Sequence, residues 1–124
     1  MCRIVTGAAF GTFMWVMPEQ FRWCSGEDQV CNYESSPGNI RAFCRNCGTR
    51  LPSVEEDGVI VPAGGLPADK MAELNIQPDV HIFYDDRAHW HTDKDLPRFE
   101  QQAPDEYWQP FLDACFKKKR LSNT

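Results

Sequence analysis

Cys44 and Cys47 are separated by two residues and followed at once by Gly48. Two thiolates at this spacing can grip one metal ion, and the glycine permits the positive φ that turns backbone N–H groups toward the sulfurs. The pattern reads as a zinc knuckle. A closed zinc site takes about four ligands, so the motif supplies half of one. The competing reading of the pair is a redox dithiol. Dithiols of the thioredoxin type stand between a strand and a helix, whereas Gly48-Thr49 followed by Leu51-Pro52 does not open a helix.

The other candidate donors are Cys2, Cys24, Cys31 and Cys115, with His81, His89 and His91. None forms a second Cys-x-x-Cys or a Cys-x-Cys pair. Cys2 follows directly on Met1, so the sequence reads as though it opens in the middle of a metal-binding pattern. His89 and His91 straddle Trp90 and share one face of an expected strand. With no further ligand nearby in sequence they read as an exposed pair. Cys24 and Cys31 read as small packing residues, and Cys115 as part of an apolar helix face. Trp15, Trp23 and Trp90 read as core or sheet-face aromatics, and Asp85-Asp86-Arg87 as a charged turn.

The elements that position these residues are short. Strands are expected over residues 9–16, 29–33, 40–43, 49–54, 58–62 and 80–84, each bounded by turn residues such as Pro18, Ser25-Gly26, Pro37-Gly38 and Gly64-Gly65. Residues 66–74 can form one or two helical turns. Strands this short and this evenly punctuated predict an all-β domain of small packed antiparallel sheets around the knuckle. The tail differs. Trp108, Phe111, Leu112, Cys115 and Phe116 recur at helical spacing and predict an amphipathic helix over 110–120, with Pro110 in its first turn. Lys117 to Arg120 then place cations at the helix C-terminus, as a solvated end that complements the macrodipole.

At 124 residues the chain is sized for one modest core that gains from a structural metal. Thirteen Lys and Arg against 18 Asp and Glu give a net charge of −5, with the two signs interspersed. That argues against nucleic acid, which requires a basic face. No apolar run reaches the roughly 18 residues that would span a bilayer, and residues 1–17 lack the pattern of a signal peptide. The expected setting is cytoplasmic, away from membranes, where the six cysteines are thiols or metal ligands rather than three disulfides.

Several motifs in order make the chain similar to the family of glutathione-dependent formaldehyde-activating enzymes, which includes centromere protein V. Cys2-Arg3, Thr6-Gly7-Ala8 and Phe10 resemble the end of that family's central cysteine cluster and the strand after it. Phe21-Arg22-Trp23 and Ser25-Gly26-Glu27 follow in order. Next come Ser36-Pro37-Gly38, Arg41, the run from Phe43 to Thr49, and Leu51. His81-Ile82 and Ala88-His89-Trp90 match the distal segment. The resemblance covers residues 2–99, so a zinc domain is expected over 1–99 and a separate tail over 100–124.

The resemblance implies an all-β fold of the β-tent type carrying a structural zinc and a second, exposed zinc. By resemblance, Cys44 and Cys47 are ligands of the structural zinc, and an early Cys-x-Cys supplies the other two. The exposed zinc implies three cysteines of a central cluster, of which Cys2 is the third and the remnant catalytic ligand. Met1 occupies the spacer position before it, so the reading frame upstream is expected to encode the missing motifs. The implied reaction is that of a carbon–sulfur lyase joining a small-molecule thiol, glutathione, to formaldehyde or separating them, with activity impaired in this chain. The alternative is a non-catalytic zinc-binding interaction module.

Overall fold

The computed structural model describes residues 2–92 and 95–122, with side chains of the last helix described as far as Lys117. The spacer position assigned to Met1 lies outside the described residues, as do the side chains of Lys118, Lys119 and Arg120. The backbone forms two compact units, divided between Gln77 and Pro78.

The first unit is built on two small antiparallel sheets, in keeping with the all-β expectation. Strand β1 (Phe13–Val16) pairs with β5 (Val59–Pro62), Val16 opposite Val59 and Phe13 opposite Pro62, and β5 pairs on its other edge with β4 (Ser53–Val54). Aromatic and β-branched residues favour this pleated, half-buried surface. Val59 is among the most deeply buried residues. The strand expected from residue 9 begins only at Phe13. Beyond the Phe13–Pro62 pair one more bond forms, Ala63 N–H donating to the Thr12 carbonyl at 3.0 Å, and the chain then turns away through a short 3-10 segment at Ala63–Gly65.

The second sheet is the hairpin of β2 (Val30–Ser36) and β3 (Asn39–Cys44). Gly38 at φ 78° makes the turn, and its N–H donates to Glu34 Oε1 at 3.0 Å. Alternation places Val30, Asn32, Ala42 and Cys44 on one face and Cys31, Tyr33, Arg41 and Phe43 on the other. Ala42 is buried, and its N–H donates to the hydroxyl of buried Ser53 at 3.2 Å. The outer edge of β3 continues the pairing: Leu51 N–H donates to the Ala42 carbonyl at 3.0 Å, and Arg50 stands opposite Phe43 in a single antiparallel bridge.

Cys2 lies on a short helix that the strand pattern did not predict, α1 (Cys2–Thr6). Thr6 Oγ1 donates to the Cys2 carbonyl at 2.8 Å, and Gly7, at φ 64°, ends the helix with its N–H on the Arg3 carbonyl at 2.9 Å. Helix α2 (Ala68–Glu73) follows Pro67 where helical turns are expected.

In the second unit the strand expected over 80–84 reduces to one parallel bridge between His81 and Arg98. Phe83 takes a left-handed φ of 49° and leads into a 3-10 turn at Tyr84–Asp86, which ends any extended run. His89 and His91 therefore do not share a strand face. His91 N–H closes a turn onto the Ala88 carbonyl at 3.0 Å, and its ring lies 6.2 Å from that of His81. His89 is exposed beside Trp90, which is itself 69% exposed and no core aromatic.

The C-terminal helix α3 (Asp105–Ser122) starts earlier than expected and contains Pro110 in its interior. Asp105 and Glu106 favour the earlier start by facing the positive end of the macrodipole. Pro110 then removes the one N–H that would have met the Glu106 carbonyl. Tyr107 packs against Phe99, Trp108 and Phe111 at ring separations of 5.0, 5.2 and 5.7 Å, which anchors the apolar face. Among the described residues no helix is long and apolar enough to cross a membrane.

Candidate functional site

Strand β3 delivers Cys44 at its last position, and the chain returns at once through a tight loop. Gly48 N–H donates to the Cys44 carbonyl at 2.8 Å, and Cys44 N–H donates to the Thr49 carbonyl at 2.9 Å. This reciprocal closure requires the positive φ of Gly48, 76°, which side-chain-bearing residues rarely adopt. The loop leaves Cys44 half-buried and Cys47 exposed.

Cys47 Sγ lies 3.1 Å from Thr49 Oγ1. Hydrogen bonds from the Thr49 hydroxyl, then from the Thr49 backbone N–H, then from the Cys44 thiol hold the Cys47 thiol below its ordinary pKa, against a small opposing effect of burial. The thiolate needed for metal binding is thus favoured at Cys47, chiefly by Thr49. Alkylation by iodoacetamide should expose this. The rate at Cys47 should reach half its plateau at a lower pH than an ordinary thiol. Thr49→Val should move that midpoint upward and slow modification near neutral pH by roughly three- to tenfold. Peptide mass analysis of a timed reaction reads both, and an unchanged rate in the variant would remove Thr49 from the account.

Cys2 does not join this pair. Among the described residues no three His, Cys, Asp or Glu side chains come together in a group that could hold a metal ion. Cys2 Sγ stands instead 3.8 Å from Arg41 Nη1, and Arg41 Nε donates to Ser35 Oγ at 3.1 Å. Arg50 is the next charge. Its Nε and Nη1 are sealed from solvent without a hydrogen-bond partner, and its guanidinium lies 5.8 Å from the centre of the Phe13 ring. Burial first, and the neighbouring Arg41 charge second, press the Arg50 pKa below its usual value, with Cys2 acting the other way.

The residues present therefore fit zinc unequally. The Cys44–Cys47 loop suits one half of a tetrahedral thiolate site. A single thiol at Cys2, faced by two guanidinium groups, does not by itself suit a divalent cation, because those charges repel it.

A separate cleft of about 430 Å³ opens in the first unit, with Phe21, Trp23, Val30, Val54 and Val59 among its walls and Arg22 and Glu27 at its border. The Phe21 and Trp23 rings meet edge to face at 5.0 Å, so this aromatic motif forms one wall of the cleft. Cys24 is exposed beside it rather than packed, while Cys31 is half-buried on β2.

Sequence reasoning missed Arg50 and the parts played by Arg41 and Thr49. A signal existed. Once the loop is closed by pairing Cys44 with Thr49, Arg50 must fall opposite Phe43, on the sheet face that also carries Arg41. No match to the chain was found among the curated proteins or among the solved structures. The sequence model of the family described as glutathione-dependent formaldehyde-activating enzyme matches residues 1–86, well over half of the chain and the whole of the segment that carries Cys2, Arg41, Cys44, Cys47 and Arg50, and the chain therefore belongs to that family.

Proposed function

We propose that this chain is a zinc-binding carbon–sulfur lyase of the glutathione-dependent formaldehyde-activating type, interconverting glutathione plus formaldehyde with S-hydroxymethylglutathione. The observation that carries the reading is the hydrogen-bonded Cys44–Cys47 loop lying inside the family match. In the forward direction the thiol sulfur bonds to the formaldehyde carbon as the carbonyl π bond opens, and the thiol proton passes to the oxygen.

Cys44 and Cys47 are proposed as ligands of a structural zinc within a β-tent arrangement built around the knuckle. Bound there, zinc would supply a fixed crosslink between the end of β3 and the returning chain. Cys2 is proposed as a ligand of the exposed zinc only alongside further thiolates, whose negative charge would offset Arg41 and Arg50. A reducing, cytoplasmic setting suits six cysteines that are all free thiols.

The test is the rate at which glutathione and its hydroxymethyl adduct exchange, read by magnetisation-transfer NMR against the spontaneous reaction. The chain should accelerate exchange detectably but weakly, because no group of three ligands forms around Cys2 among the described residues, and Cys2→Ala should abolish that acceleration. Equal rates with and without protein would refute the enzymatic reading. A non-catalytic zinc-binding interaction module is the second reading, favoured by the absence of any three-ligand group among the described residues. Zinc retained without acceleration would select it.

A further inference from the structure

The two guanidinium groups beside Cys2 leave an unbalanced charge in the first unit. Register sets them together: Arg41 lies on β3 across from Tyr33, and Arg50 faces Phe43 from the returning chain, so all four share one sheet face. Tyr33 and Phe43 are exposed at 59% and 37%, which keeps that face open toward solvent. Arg41 spends one donor on a neutral hydroxyl and another on the Cys2 sulfur. Among the described residues no carboxylate pairs with either arginine.

Arg50 is the more telling of the two. A half-buried guanidinium with two sealed and unpartnered nitrogens, pressed against a like charge, is an expensive arrangement in a stable fold. An acceptor carrying negative charge, set between the two guanidinium groups on the open side of this face, would relieve the repulsion. Planar guanidinium groups match carboxylate oxygens in geometry as well as in charge.

We propose that Arg41 and Arg50 form a carboxylate-binding subsite beside Cys2. The subsite selects thiols that carry a carboxylate over neutral thiols of the same size. It rests on the reading of the chain as a glutathione-using protein, because that reading makes the relevant anion a carboxylate of a peptide thiol. Docked there, the carboxylate would hold the substrate close to Cys2 by a contact that involves neither the sulfur nor a metal. Arg41 and Arg50 are binding residues in this scheme, and the selectivity is theirs.

S-methylglutathione separates this proposal from the enzymatic one, since its blocked sulfur neither reacts with formaldehyde nor ligates a metal as a thiolate. Titrated into the full chain and followed by nitrogen–proton NMR, it should shift the Arg41, Arg50 and Cys2 signals along one saturable curve. Arg50→Gln and Arg41→Gln should each weaken binding at least about tenfold, and Arg50→Lys should recover part of the loss. The dimethyl ester of the probe should not bind.

Circular dichroism and thermal unfolding of each variant confirm that it remains folded, and Arg50→Lys keeps the charge at the same place. Undiminished binding by Arg50→Gln, or equal binding of the ester, would overturn the subsite. Inorganic phosphate that displaces the probe at a concentration far below the probe's own would overturn the carboxylate assignment in favour of a phosphate ligand. A chain that binds S-methylglutathione as described yet leaves the exchange reaction at its spontaneous rate would retain the subsite while rejecting the lyase.

Discussion

Replacing Cys47 by serine should reduce the zinc bound to the purified chain to background and remove the stabilisation that added zinc confers. Cys44→Ser should do the same, and Cys24→Ser, at an exposed site that is not part of the loop, should do neither. The wild-type chain itself should hold less than one equivalent, because the described residues offer this ion two thiols and no group of three. Complete structural sites reach roughly 10–16 kcal/mol of apparent binding energy, and half the ligands leaves the remaining coordination to water. The stability readout follows from linkage. Zinc at a free concentration of about one hundred times its Kd stabilises the folded chain by about 2.7 kcal/mol if it binds only that state. Thermal unfolding of the wild type and both serine variants, with zinc and with a chelator, measures that increment directly. Zinc content and zinc-dependent Tm that survive in the Cys47→Ser chain would sink the knuckle.

The second large effect concerns packing. Gly58 is buried just before β5, and a Cβ placed on it would stand 1.9 Å from Trp15 Nε1 and 2.5 Å from Trp15 Cε2. The requirement is for space, since the indole of the neighbouring strand lies across the glycine. Gly58→Ala must therefore push Trp15 off its seat. Trp15 is 42% exposed, so it can swing outward, but it gives up its contacts with the sheet as it goes. Overpacking of this kind costs about 1–3 kcal/mol, and Tm should fall by roughly 4–12 °C. The companion measurement is Gly58→Ala in a Trp15→Ala background, where the same methyl group should be nearly neutral. Equal losses in the two backgrounds would show that the indole is not what Gly58 accommodates.

How much of this was legible in the sequence differs from element to element. The hairpin was readable because Pro37-Gly38 sits between two runs of strand-forming residues, and the ladder follows from the turn. The Cys44–Cys47 loop was readable because its spacing and its glycine are local. Pro110 misled because proline at a helix start is a statistical preference, whereas Asp105 and Glu106 decide where this helix begins. The segment around His81 read as a strand from its alternation alone. Its outcome depended on whether residues far along the chain could pair with it, and Arg98 offers only one bridge. The arginine pair was invisible for a similar reason. Arg41 and Arg50 are not periodic partners; they become neighbours only when the strand edge beyond β3 is filled.

The hairpin bears on the order in which the molecule assembles. Its strands are joined by two residues, and hairpins of this kind form in about 1–10 μs. The pairing of β1 with β5 joins residues as distant as Phe13 and Pro62, and closing so long a segment is slower. Cys44 and the loop after it thus reach their final form in a chain whose N-terminal segment has yet to dock. Phe13, whose ring centre lies 5.8 Å from the Arg50 guanidinium, is expected to arrive afterwards. A metal ion would meet the knuckle thiols on a partly assembled, open surface, while the charged niche at Cys2 would exist only in the finished fold.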